Sequence, residues 1–325
     1  MDNLTHSLVG ALIGQTGLKK KTGLAMPALI IGANLPDVDA ACFFWLEGTE
    51  HLGFRRGITH GPPALALLPL ILAALLWGWD RWQASRGKRP EGRLPVHFGW
   101  LYALAFIGCL SHPALDWLNI YGIRLLEPFS SRWFYGDTLF IIDLWLWGLM
   151  GFATWWSLRQ EKRDGAWRKT ARQALTLALI YIGANLVWSN VQVDRLYQAA
   201  PVLECAEGVD CGHEIIASPV PGVPWRREII AASAQGWATI PPGTPLVWEN
   251  LRPLTTSPCY AWTDDEIAAL NSQTAAFMLW SRAPFVEREA DGTAWLRDAR
   301  FYDPRARGRF TVEVPAAYCE ELPDG

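Results

Sequence analysis

Residues 98–116 read Phe98-Gly-Trp-Leu-Tyr-Ala-Leu-Ala-Phe-Ile-Gly-Cys-Leu-Ser-His112-Pro-Ala-Leu-Asp116, and this stretch decides the fold. The run from 98 to 115 has no charged residue, and as a helix it extends about 27 Å at 1.5 Å per residue, close to the hydrocarbon depth of a bilayer. It ends on a histidine and an aspartate. Ionisable groups cost several kcal/mol at that depth unless they meet water or a partner, so the stretch reads as a membrane helix with chemistry at one end.

Working outward, residues 62–79, 139–158 and 174–191 have the same length and apolar character. Four such runs predict four transmembrane helices. The first segment differs, because 5–17 and 23–34 are each only about a dozen residues, separated by Lys19, Lys20 and Lys21. They predict a short helical hairpin entering the bilayer. It is a poor signal peptide, since no basic stretch precedes it and no small-residue cleavage site closes it. Of 19 Trp, 13 lie before Asn190, as do almost all the long apolar runs, so the chain divides into unlike halves. The fold class expected is a membrane α-helical bundle, residues 1–195, followed by a small β-rich extracytoplasmic domain, residues 196–325. A formal net charge of -3 gives no reason to expect nucleic-acid binding, and 50% hydrophobic residues exclude disorder.

Basic residues set the orientation. The 19–21 turn, the 81–96 loop and the 159–172 loop together carry 14 Lys and Arg, while the opposite connections carry 4, namely Arg55, Arg56, Arg124 and Arg132. By the positive-inside rule the first set is cytoplasmic, and 34–61, 116–138 and everything after residue 190 face outwards. Four of the six cysteines, Cys205, Cys211, Cys259 and Cys319, belong to the exported tail, which permits two disulfides. Cys205 with Cys211 is the simplest pairing. In the tail, 226–232, 245–248, 277–281, 294–296 and 309–314 read as short strands, with an Asp291-Gly292 hairpin turn.

The polar residues of the membrane half recur at one end of it. His6 and Asp37 close the same end of the hairpin, Asp39 follows, His60 precedes the second run, and His112 with Asp116 ends the third. Imidazoles and carboxylates gathered at one depth suit a divalent metal ion, Zn²⁺ first, with Mn²⁺ or Fe²⁺ as alternatives. The metal ligands expected are His6, Asp37, Asp39, His60, His112 and Asp116. His112 and Asp116 share a helix face at i, i+4, although Pro113 predicts a break between them. Asp143 is a weaker candidate, paired with Arg132 or bonded within the bundle. His51, His97 and His213 read as surface residues.

The motifs Thr5-His6-Ser7, Asn34-Leu-Pro-Asp-Val-Asp39, Arg56-Gly-Ile-Thr-His60, His112-Pro-x-Leu-Asp-x-x-Asn-x-Tyr-Gly122, Pro128-Phe-Ser130 and Ile141-Ile-Asp143 together resemble the bacterial inner-membrane family of the YdjM type, regarded as metal-dependent hydrolases. Residues 277–301 look like the extracytoplasmic portion of its longer members. The resemblance implies a multi-pass inner-membrane protein with a metal site made by those six residues. Where the family commonly has His-Arg-Gly, this chain has Arg55-Arg56-Gly57. A fainter likeness to zinc-dependent phospholipases C suggests a phosphoester substrate. The function expected is hydrolysis of a lipid or phosphoester at the outer leaflet, since a bound metal lowers the pKa of its water to about 7. One of Asp37, Asp39 or Asp116 takes the proton, and Arg55 and Arg56 hold an anionic head group. The alternative is a metal-stabilised scaffold whose tail recruits an envelope partner.

Overall fold

The computed structural model describes residues 1–199, 214–233, 236–254, 258–259, 264–303 and 306–319. Its first helix, α1 (Asn3–Gln15), starts because the Asp2 carboxylate accepts the N–H groups of Leu4 and Thr5 at 2.9 and 3.1 Å. A turn holding Lys19–Lys21 leads to α2 (Ala25–Asn34), which passes directly into a 3-10 winding, Leu35–Phe44. The short α3 (Glu50–Phe54) and a 3-10 turn, Ile58–His60, precede α4 (Pro62–Ser85), which opens on two prolines whose missing N–H groups cost nothing there. Then come α5 (Phe98–Asp116), α6 (Leu144–Glu161) and α7 (Trp167–Ala199).

Four segments are long and apolar enough to cross a membrane: Ala25–Phe44, Pro62–Ser85, Phe98–Asp116 and Trp167–Gln198. Three of the four expected runs lie within them. The expected 139–158 run does not: α6 begins only at Leu144, because Asp143 caps it by accepting the N–H groups of Trp145 and Leu146 at 3.0 and 2.9 Å. Asp143 also accepts the Tyr181 hydroxyl at 2.9 Å, so its partners are within the bundle and not Arg132. The N-terminal hairpin is also longer than its sequence suggests, since α2 and the winding after it together reach 20 residues.

The chain forms two compact units, Met1–Asp39 with Arg56–Leu186, and Ala40–Arg55 with Val187–Gly325. In the first, α2 packs between α1 and α5 with backbones unusually close. A Cβ on Gly10 would lie 2.7 Å from the Leu29 carbonyl oxygen, one on Gly32 2.6 Å from that of Ala105, and one on Gly108 2.5 Å from that of Leu29. Small residues at such crossings are how membrane helices gain contact without a hydrophobic drive between them. Gly10 lies one turn after His6 and Gly108 one turn before His112, so the same approach sets the spacing of those histidines.

The basic loops meet at the other end of this unit. Lys19 pairs with Glu161, Lys20 lies 5.5 Å from the Trp167 ring centroid, Lys21 lies 5.1 Å from that of Trp100, and the Gly23 N–H donates to the Pro95 carbonyl at 3.0 Å.

In the second unit, two four-stranded antiparallel meanders follow one another. The first contains β1 (Ile215–Pro219), β2 (Arg227–Ser233), β3 (Gly236–Ile240) and β4 (Arg252–Pro253); the second contains β5 (Pro258–Cys259), β6 (Pro284–Arg288), β7 (Ala294–Asp298) and β8 (Thr311–Val314). The strands expected at 226–232, 294–296 and 309–314 are present, and the Asp291-Gly292 turn joins β6 to β7 with Gly292 at φ 90°. Two expectations are corrected. Residues 245–248 form no strand, because the Pro241–Pro245 stretch turns and leads into a 3-10 turn at Trp248–Asn250. Residues 277–281 instead end α9 (Ser272–Trp280), which follows α8 (Asp264–Ala268). The Asn271 side chain accepts the Gln273 and Thr274 N–H groups, and the Thr274 hydroxyl accepts the N–H of Asn271, a capping box that fixes the helix start. No disulfide occurs among the described residues; the expected partners Cys205 and Cys211, with His213, lie outside them, as do the side chains of Cys259 and Cys319.

Candidate metal centre

His112 is the centre of the arrangement. α5 continues through Pro113 without the expected break, so His112 and Asp116 stay one turn apart with Nε2 and Oδ2 at 3.5 Å. His112 Nδ1 lies 2.7 Å from the Ala33 carbonyl, to which it must donate, and this leaves a lone pair on Nε2. That nitrogen lies 3.8 Å from Asp37 Oδ1, which the 3-10 winding after α2 carries to the same level. His6, from α1, stacks on His112 with ring centroids 3.8 Å apart and planes 14° apart, and its Nε2 lies 3.4 Å from Asp116 Oδ1. His60 comes from the 3-10 turn before α4 and points Nε2 to within 3.7 Å of Asp116 Oδ2.

Two groupings place one ligand atom per residue within 4.8 Å of one another: His6, Asp37 and His112, and His60, His112 and Asp116. Five of the six expected ligands therefore converge. The side chains of His6, His60 and His112 are wholly buried and Asp116 nearly so, whereas Asp37 keeps 11% exposure and forms the open edge. Both nitrogens of His6 and Nε2 of His112 are buried without a hydrogen-bond partner. Buried polar atoms of that kind are costly unless something pairs with them, and neutral imidazole nitrogens facing carboxylates fit a divalent cation.

Asp39, the sixth, stands one layer behind. Its Oδ2 accepts the Arg56 N–H at 2.8 Å and the Thr59 hydroxyl at 3.1 Å, and lies 3.6 Å from His60 Nδ1. The Thr59 oxygen lies 2.9 Å from the same Nδ1. With the hydroxyl proton committed to Asp39, His60 Nδ1 donates to Thr59 and Nε2 is left for the cluster, the usual division of labour between a ligand and its support.

Arg56 is buried, at φ 53°, and its guanidinium is occupied: Nε lies 3.0 Å from Asp116 Oδ2, and Nη1 donates to Asn119 Oδ1 at 3.0 Å and the Gly122 carbonyl at 3.1 Å. Asp116 Oδ1 pairs with the amine of Met1. Arg55 belongs to the second unit, where it lies over the Phe43 ring at 5.6 Å. His51, also in that unit, approaches the Gly48 carbonyl at 2.8 Å, and His97 is exposed at the residue preceding α5, with no side-chain capping bond. Thr59 and Asn119 are the supporting residues that the sequence reading passed over. Both sit inside the motifs quoted above, one residue before His60 and three after Asp116.

The description YdjM inner membrane protein matches residues 1–194, well over half of the chain and all of the residues of this cluster. No curated protein and no solved structure matches. The chain belongs to the YdjM inner membrane protein family.

Proposed function

We propose that this YdjM-family membrane protein is a metal-dependent hydrolase acting on a lipid or phosphoester bond at the outer leaflet of the inner membrane, with the tail extracytoplasmic. The observation that carries the reading is the set of buried nitrogens on His6 and His112 that face Asp37 and Asp116 without a hydrogen bond. Zn²⁺ is the first choice for three imidazoles with carboxylates, ahead of Mn²⁺ and Fe²⁺. Such an ion supplies Lewis acidity and makes water a nucleophile near neutral pH.

The chain's own residues divide the remaining work. His6, His60 and His112 supply neutral donors, Asp116 compensates charge, and Asp39 with Thr59 holds the His60 ring in register. Asp37, at the open edge, is the carboxylate able to exchange a proton with water and is assigned as the general base. Arg56 is already balanced by Asp116, so it positions that carboxylate and only then presents charge to an anionic substrate. A lipid is favoured because Asp116 ends one candidate membrane-spanning segment and His60 immediately precedes another, at the depth where a head-group bond lies.

The scaffold reading draws on one observation, the complete burial of the three imidazole side chains. A closed site suits a structural ion. Metal analysis of detergent-purified protein followed by a lipid-phosphoester hydrolysis screen separates the two. Stoichiometric metal with turnover, lost in Asp37→Asn, supports the hydrolase; stoichiometric metal with no turnover on any phosphoester favours the scaffold; absence of metal removes both.

A further inference from the structure

Two overlapping groupings of three ligands invite a two-ion centre, the arrangement by which many hydrolases clamp both oxygens of a displacement. Their overlap argues otherwise. His112 belongs to both groupings, and its Nδ1 is committed to the Ala33 carbonyl, so one lone pair, on Nε2, must serve both. One nitrogen lone pair binds one ion. Without His112, each grouping keeps one imidazole and one carboxylate, too few for a closed or catalytic transition-metal site.

A second ion would also need a bridging oxygen, and Asp116 is the carboxylate placed between His6, His60 and His112. Its Oδ2 already lies 3.0 Å from Arg56 Nε, while Oδ1 pairs with the Met1 amine. Arg56 cannot drift away from that role. Its backbone N–H is held by Asp39 and its Nη1 by Asn119 and Gly122. The guanidinium also lies 4.5 Å from the Tyr121 ring centroid, a favourable face for a cation. Arg56 and the Met1 amine already bring positive charge to Asp116, so each further cation adds buried charge with less to pair it, which is costly.

Resting on the metal-centre reading above, we propose that the cluster is built for a single divalent ion, with His112 as its obligatory ligand and Arg56 fixed in the place a second cation would occupy. His6, and His60 with Asp116, then complete one coordination sphere around His112, with Asp37 at its open edge.

The test is a titration of chelator-stripped, detergent-purified full-length protein with Co²⁺, read by its visible absorption and by elemental analysis after desalting. The expected plateau is one equivalent per chain. His6→Ala and His60→Ala should each still reach no more than one equivalent, with weaker binding, and His112→Ala should bind none. Arg56→Gln, which removes the fixed charge, should gain a second, weaker equivalent. A wild-type plateau at two equivalents that falls to one in His6→Ala overturns the single-ion proposal and leaves the metal centre standing. A plateau that stays at one in Arg56→Gln removes the role given to Arg56. No binding by the wild type overturns the proposal together with the reading it rests on. The wild-type plateau decides the ion count even if His112→Ala fails to fold.

Discussion

Asp39 and Asp116 are the same residue type a few ångströms from the same imidazole, and their neighbours give them different work. Asp116 faces three histidines and a guanidinium, while Asp39 stands by the far nitrogen of His60 and accepts the Arg56 N–H and the Thr59 hydroxyl. Removing charge from such a supporting carboxylate typically costs roughly 10- to 100-fold in metal affinity without changing the number of ions bound. Asp39→Asn is therefore expected to weaken Co²⁺ binding by that order while keeping the wild-type plateau. Asp116→Asn should cost more, because it uncovers Arg56 as well as removing a ligand. Equal losses in the two variants would place Asp39 in the coordination sphere. The sequence made His6, Asp37, His60, His112 and Asp116 legible because charged and imidazole groups are conspicuous beside apolar runs. It left Thr59 unseen, because a hydroxyl raises no such contrast, and the Ala33 carbonyl is invisible to any reading by residue type.

At the scale of the helices, glycine spacing places the ligands. A Cβ at position 108 meets the Leu29 carbonyl, a backbone atom that can yield only if α2 moves, and α2 carries Asp37 beyond its end. Gly108→Ala should cost on the order of 1–3 kcal/mol through overpacking, lower the thermal transition in detergent, and reduce metal per folded chain. Gly78→Ala, where no atom lies within 4 Å of the added carbon, is the control expected to leave metal content unchanged and to hold or raise the transition, because Ala is the better helix former. The tail elements answer to local chemistry that apolar pattern alone misreads. Residues 277–281 are apolar enough for a strand, but the Asn271–Thr274 box had already started a helix that carries Phe277 and Trp280 into the core. Beside Trp280, Asp298 is fully buried; burial opposes its ionisation, yet the bidentate Arg300 guanidinium, at 2.7 and 2.8 Å, and the Ser281 hydroxyl outweigh this and hold it below the usual carboxylate range. A depressed folded pKa contributes stability that is present above the unfolded value of about 4 and is lost as pH falls through the folded one. Protection of the amides of residues 281–301 against hydrogen exchange, relative to the intrinsic rate at each pH, should therefore fall in strong acid and be insensitive to this group between pH 5 and 8. Asp298→Asn should flatten that acid response, and an unchanged profile would dismiss the pair as its cause.

At the scale of the whole molecule, sidedness has a physical handle. Three loops far apart in sequence, around Lys20, Arg93 and Lys162, carry most of the basic residues of the membrane half, and ion pairs, ring contacts and hydrogen bonds gather them at one end. The histidine cluster forms where α1 begins and α5 ends, while that basic end lies where α1 ends and α5 begins. Helix termini thus place polarity of two kinds at opposite ends of the same helices. This much was legible in sequence, because charge and helix order survive errors in helix boundaries, such as the late start of α6. Lys and Arg are retained on the cytoplasmic side during insertion, so the basic end is expected inside and the metal centre outside. α7 starts beside the basic end, at Trp167, and runs for 33 residues, about 50 Å at 1.5 Å per residue, long enough to cross a bilayer. Cysteine introduced at Lys88 and at Ala290, both exposed positions, reads the two sides in intact cells. An impermeant maleimide should label Ala290→Cys above the parent's own background and reach Lys88→Cys only after permeabilisation. The reverse pattern would invert the orientation, place the centre at the inner leaflet, and require its substrate to be sought among cytoplasmic-side lipids.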